Sequence, residues 1–183
     1  MKKKCFYQLL SLSMMIGFSF CSENSYSQNT WLKRGSDSAK YEMAIVRDTL
    51  HDGKIIMTLK SVEENIEGFG NILQKMLPSK YLGKRIRMSG YMKSSNVADW
   101  AGFWLRVDQA EPFKMLSFDN MYDRAINGNT EWKKYEIVLD VPESATSIFY
   151  GVLLKGTGQI WFDEIMFETV PNSVATTGTY TGN

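Results

Sequence analysis

Apolar and polar positions alternate along this chain in short runs, and turn residues separate the runs. Lys54 to Ser61 (KIIMTLKS) reads as a strand. It follows His51-Asp52-Gly53, and an Asp-Gly pair between two such runs predicts a hairpin with Tyr41 to Val46. Arg85 to Ser94 alternates with Ile86, Met88 and Met92 on one face. Trp100 to Asp108 splits in the same way. Ala101, Phe103, Leu105 and Val107 form an apolar face, opposite Gly102, Trp104, Arg106 and Asp108. Trp132 to Val141 aligns Tyr135, Ile137, Leu139 and Val141, then stops at Pro142. Trp31 to Gly35, Lys114 to Asn120, Ser147 to Leu154 and Gln159 to Glu168 complete the set. Asn71 to Met76 fits a strand or a short helix, and Ser61 to Glu67 is the other stretch with helical character. About nine or ten strands at short, regular spacing predict an all-β sandwich or barrel.

The first residues change the accounting. Lys2 to Lys4, the uncharged apolar run Leu9 to Phe20, and Ser25-Tyr26-Ser27 before Gln28 form the three-part pattern of a secretory signal peptide. The expected organisation is a signal at 1–27, one domain at 28–170, and a flexible Ser/Thr/Gly-rich tail at 171–183 beginning at Pro171. The protein is therefore expected to be exported, to the periplasm or beyond. Lipidation at Cys21 is the alternative, although Phe20 stands where such signals want a small residue. Cleavage after Ser27 removes both cysteines, Cys5 and Cys21, so stability must come from a packed core. It also removes three of the lysines and leaves a near-neutral domain, which gives no electrostatic case for nucleic acid. No second apolar run is long enough to span a membrane as a helix.

The order of motifs supplies a resemblance. Tyr81-Leu82-Gly83-Lys84-Arg85 leads to Ser89-Gly90-Tyr91, then to Trp100 through Asp108 (WAGFWLRVD). Phe118-Asp119-Asn120-Met121, Trp132-Lys133-Lys134-Tyr135 and Gly156 through Asp163 (GTGQIWFD) follow. In this order the chain resembles a galactose-binding-like jelly-roll family, found alone in exported bacterial proteins and joined to AraC-type transcription regulators. More distantly it resembles the jelly-roll carbohydrate-binding modules of secreted glycosidases. The resemblance covers about Trp31 to Val170. It implies a jelly-roll β-sandwich of two antiparallel sheets, with at most one short helix, and a binding fold without a specified ligand. It also implies a structural calcium held by a carboxylate on the last strand, at Asp163, with Asp37 and Glu42 as candidate partners.

Little catalytic chemistry is available. His51 is the one histidine, so a Ser-His-Asp triad would depend on a turn residue, and zinc has no His/Cys cluster. Gly68-Phe69-Gly70 and Gly156-Thr157-Gly158 lack the lysine-hydroxyl pair of a phosphate loop. Glycoside hydrolysis needs only two carboxylates, and Asp99, Asp108, Asp119, Asp123 and Asp163 are candidates. No catalytic residue is assigned, and no cofactor beyond the calcium is expected.

A binding role draws on the outer sheet face that a jelly roll offers. Trp104, Arg106 and Asp108 project together, and an aromatic ring with charged neighbours suits a sugar. Arg87 and Tyr91 share a face of one strand, and Ser117 and Asp119 share a face of another. If these strands pair, Trp104, Arg106, Arg87, Tyr91 and Asp119 converge on a ligand. The structural alternative makes Arg106 and Asp119 an ion pair under a loop and Trp104 a cap on the sandwich edge. Trp31, Trp132 and Trp161 are assigned to the core or its rim, and Tyr41 and Trp100 stand outside the candidate set. The expectation is a noncatalytic exported module for a saccharide or similar polar ligand. The alternatives are an envelope protein-interaction domain and, third, a hydrolase.

Overall fold

The computed structural model describes residues 30–48, 53–178 and the strand Tyr180–Thr181. The expected signal peptide, both cysteines and His51 lie outside the described residues. Ten strands follow in chain order: β1 Leu32–Arg34, β2 Tyr41–Asp48, β3 Lys54–Ser61, β4 Phe69–Met76, β5 Lys84–Gln109, β6 Lys114–Asp119, β7 Ile126–Val141, β8 Ser147–Lys155, β9 Gln159–Val170 and β10 Tyr180–Thr181. The described helical residues are two short 3-10 turns, Ser38–Lys40 and Tyr122–Arg124.

β5 organises the molecule. The sequence pattern reads residues 85–94 and 100–108 as two strands, whereas they are the two halves of one 26-residue strand. Its first half lies between β7 and β9, in a layer ordered β2-β3-β9-β5-β7. Its second half lies between β8 and β6, in a layer ordered β1-β4-β8-β5-β6-β10. Every pairing is antiparallel. The strand passes between the layers near Asn96, which takes a left-handed φ of 51° and donates its backbone N–H to the Asn129 side-chain oxygen (2.8 Å). The fold is thus an antiparallel jelly-roll β-sandwich.

The core sits between the layers and follows the alternation closely. Ile86, Met88 and Met92 meet Ala101, Phe103, Leu105 and Val107, with Ile137, Leu139, Ile160 and Phe162 from β7 and β9. Removing this apolar surface from water is the main favourable term in folding.

Three local expectations change. Residues 71–76 are strand, paired with β8 along their whole length. Residues 62–67 form no helix, and the backbone there is engaged sideways: Ser61 N–H donates to Gly158 O and Val62 N–H to Lys40 O, both at 2.9 Å. Pro171 does not end the packed structure. Arg85 donates to the carbonyls of Asn172 (2.8 Å) and Val174 (2.6 Å), Thr177 N–H donates to Val138 O (2.9 Å), and β10 adds to the edge of β6. At Gly178 a Cβ would come within 2.9 Å of the Phe118 carbonyl oxygen, besides crowding the Leu139 side chain, so glycine lets the segment lie this close.

Candidate functional site

The outer face of the β2-β3-β9-β5-β7 layer carries a cluster of polar and aromatic side chains. Strand register fixes its rows. Ala44, Thr58, Trp161 and Lys93 stand side by side across four strands. One step along, Val46 faces Ile56, and Tyr91 stands between Asp163 and Lys134. A cavity of about 240 Å³ opens here, floored by buried Ile56 and walled by Tyr91, Trp132, Asp48, Lys54, Asp163 and Glu164.

Two cationic clusters border the cavity. Lys54 lies 2.9 Å from Asp163 and also pairs with Glu164, and these bonds, Glu164 first, push its pKa up to about 12. Glu164 holds a left-handed φ of 53° at the bulge where the β5–β9 register shifts, which turns consecutive carboxylates toward one lysine. On the other side Lys93 pairs with Asp48 (3.3 Å), and its ammonium lies 5.2 Å from the Trp132 ring and 5.0 Å from the Trp161 ring. The Trp132 indole N–H donates to the same Asp48 oxygen at 3.4 Å.

The five residues expected to converge do not. Tyr91 lines the cavity and is 37% exposed. Arg87 lies further along the same face, held by Glu136 (3.3 Å) and Glu168 (2.9 Å). Trp104 and Arg106 sit on the outer face of the opposite layer, because β5 changes layers between Tyr91 and Trp104. Trp104 is only 7% exposed, and its indole N–H has no acceptor among the described residues. Arg106 grips Asp108 (2.9 Å) and stacks on Phe149 at 5.1 Å. Asp119 pairs in register with Leu105, so it faces away from Trp104. It accepts from Met121 N–H (2.7 Å), Arg124 (2.6 Å) and Thr177, not from Arg106. Alternation could not show that neighbouring polar faces belong to different layers.

Sequence reasoning passed over Asp48, Lys93, Trp132 and Trp161. It took the tryptophans for core or rim. A signal did exist: Trp161 has the opposite parity to Ile160 and Phe162, and Lys93 the opposite parity to Met92, which places both outward. Trp31 does pack on the core, edge-on to Tyr150 and Phe162. Tyr41 is buried and donates to Gly156 O at 2.7 Å.

The calcium ligands expected from the resemblance are not assembled. Asp163 engages Lys54, while Asp37 accepts from Gly68 N–H (3.1 Å) and pairs with Lys40 (3.6 Å). Among the described residues no three His, Cys, Asp or Glu side chains are grouped to hold a metal ion.

No family model matches the chain. Over 169 residues it is 41% identical to a protein of Bacillus subtilis (strain 168) named an uncharacterized HTH-type transcriptional regulator, YbfP. That alignment covers 90% of this chain and 57% of the relative, so the chain spans little more than half of that protein's length. Among solved structures it is similar to the C-terminal family 22 carbohydrate-binding module of Clostridium thermocellum Xyn10B, with a TM-score of 0.52 and 14% identity over 84% of this chain and 91% of that one. The CBM22-1–GH10 modules of the N-terminal part of the same organism's xylanase 10B, complexed with xylohexaose, give 0.55 and 12% over 76% of this chain and 26% of that one. A family 16 carbohydrate-binding module gives 0.52 and 13% over 73% and 92%. At such identities the likeness is one of fold.

Proposed function

We propose that this jelly-roll domain is a noncatalytic saccharide-binding module whose ligand occupies the cavity beside Tyr91 and Trp132. The observation that carries this reading is the composition of the cavity. Two aromatic rings stand over an apolar floor, with carboxylates and a lysine at the rim. Rings of this kind stack on the C–H face of a sugar, and carboxylates accept from its hydroxyls. Carbohydrate-binding modules among the fold neighbours support the same reading.

The noncatalytic part rests on how the candidate acids are used. Asp99 pairs with Lys155 (2.9 Å), Asp108 with Arg106, Asp119 and Asp123 with Arg124, and Asp163 with Lys54. Each is held by a cation, with Arg124 serving two of them, and the cavity presents an ion-pair cluster instead of a facing acid and base. Export, to the periplasm or outside, completes the proposal, on the strength of the leader pattern at 1–27. A second reading has its own support: in a chain like the named regulator, the same cavity would serve as the sensor, with DNA contacts made elsewhere.

The test is a glycan array followed by calorimetry on its best saccharide. A Tyr91→Ala protein that stays folded is expected to bind at least tenfold more weakly. Unchanged binding would move the ligand away from this face. A silent array, together with an envelope pull-down returning one stoichiometric protein, would replace the saccharide with a protein partner.

A further inference from the structure

The cavity has borders that a polysaccharide groove would lack. We infer that it is a cup for a single sugar unit at the end of a chain, and that Lys93 is the residue that closes it. This rests on the saccharide reading above. The volume of about 240 Å³ lies below the roughly 300–1,000 Å³ of sites for drug-sized ligands, and suits one ring.

A chain longer than one unit must leave along the strands or across them. Along the strands, the next row is Thr58, Trp161 and Lys93. The Lys93 ammonium covers the Trp161 ring at 5.0 Å, so the face on which a second sugar would stack is taken. Across the strands, Asp48 comes from one edge of the layer and Trp132 from the other, and they meet at 3.4 Å with Lys93 against both. The Lys93 side chain is 19% exposed and that of Asp48 5%, so water screens this closure weakly. Opposite the Lys93 cluster, Lys54 with Asp163 and Glu164 forms the far border.

Calorimetry with xylo-, gluco-, manno- and galacto-oligosaccharides of increasing length tests this. In whichever series binds, the wild-type affinity is expected to stay within twofold from the monosaccharide upward. Lys93→Ala is expected to make affinity climb at least tenfold with the second and third units, as Trp161 is uncovered. Lys93→Met keeps the stem between the two tryptophans while removing the charge, and serves if the alanine variant unfolds; a severalfold climb is expected. A wild-type affinity that rises tenfold with length overturns the cup. Flat affinity in both folded variants overturns the role of Lys93. If no saccharide of any length binds, the saccharide reading itself fails, and the cup with it.

Discussion

Asp48 and Trp132 stand on the two outer strands of a five-stranded layer, yet the indole N–H of one donates to the carboxylate of the other at 3.4 Å. The layer curls enough to bring its edges together over its own face. Lys93 completes the contact, and Asp48 is 6% exposed. Asp48→Asn keeps the shape but removes the charge facing the ammonium. It is expected to cost about 1.5–3 kcal/mol, the range for a hydrogen bond to a charged group. Urea unfolding measures this, and a midpoint equal to wild type would show that the contact does not hold the curl.

Asp119 holds the β6–β7 turn to the returning tail. It is 2% exposed and ties together Met121 N–H, Arg124 and Thr177, which come from the β6–β7 turn and from the returning tail. Removing one partner of a buried pair costs several kcal/mol, but Arg124 keeps contact with water, so Asp119→Ala is expected to lose about 2–4 kcal/mol. Saccharide affinity of the folded variant should not change. A stable variant with lost affinity would return Asp119 to the ligand.

These two residues show where the sequence is legible. Parity along each strand separated inward from outward positions, and Phe103, Leu105, Met88 and Ile137 are buried as that parity requires. Parity says nothing about which layer a strand enters. Nothing in residues 95–99 marks a passage between layers, so Trp104 and Tyr91 read as neighbours although they lie on opposite faces of the sandwich. Asp48 and Trp132 are 84 residues apart, and only the curl of the layer joins them. The tail misled for a related reason. Its small polar composition suits a loose end, while its backbone bonds to Arg85 and Val138 depend on tertiary placement.

The Tyr41 hydroxyl gives a pH signature. Burial, with the negative charge of Asp37 adding to it, pushes its pKa from 10.0 up to about 12. Between those values the folded state keeps a proton that the unfolded chain releases. Stability is therefore unaffected by this group below about pH 10 and falls as pH rises toward 12. Burial raises Tyr135 and Tyr150 in the same direction, so the difference between wild type and Tyr41→Phe is the readout. The variant is expected to show a shallower alkaline decline in denaturant midpoint. Parallel declines would contradict the assignment.

Export predicts a defined processing site. Expressed with its leader in a bacterial host, the protein recovered outside the cytoplasm is expected to begin at Gln28 by intact mass. A lipid-modified chain beginning at Cys21 would make it a membrane-anchored module. A chain retained in the cytoplasm with its leader would contradict export.

Chemical-shift mapping during titration with the best-binding saccharide tests where the ligand sits. Perturbations are expected to centre on Ile56, Tyr91, Trp132 and Asp163, with the Trp104 indole and Arg106 unmoved. Perturbations centred on Trp104 and Arg106, on the opposite face of the sandwich, would contradict it.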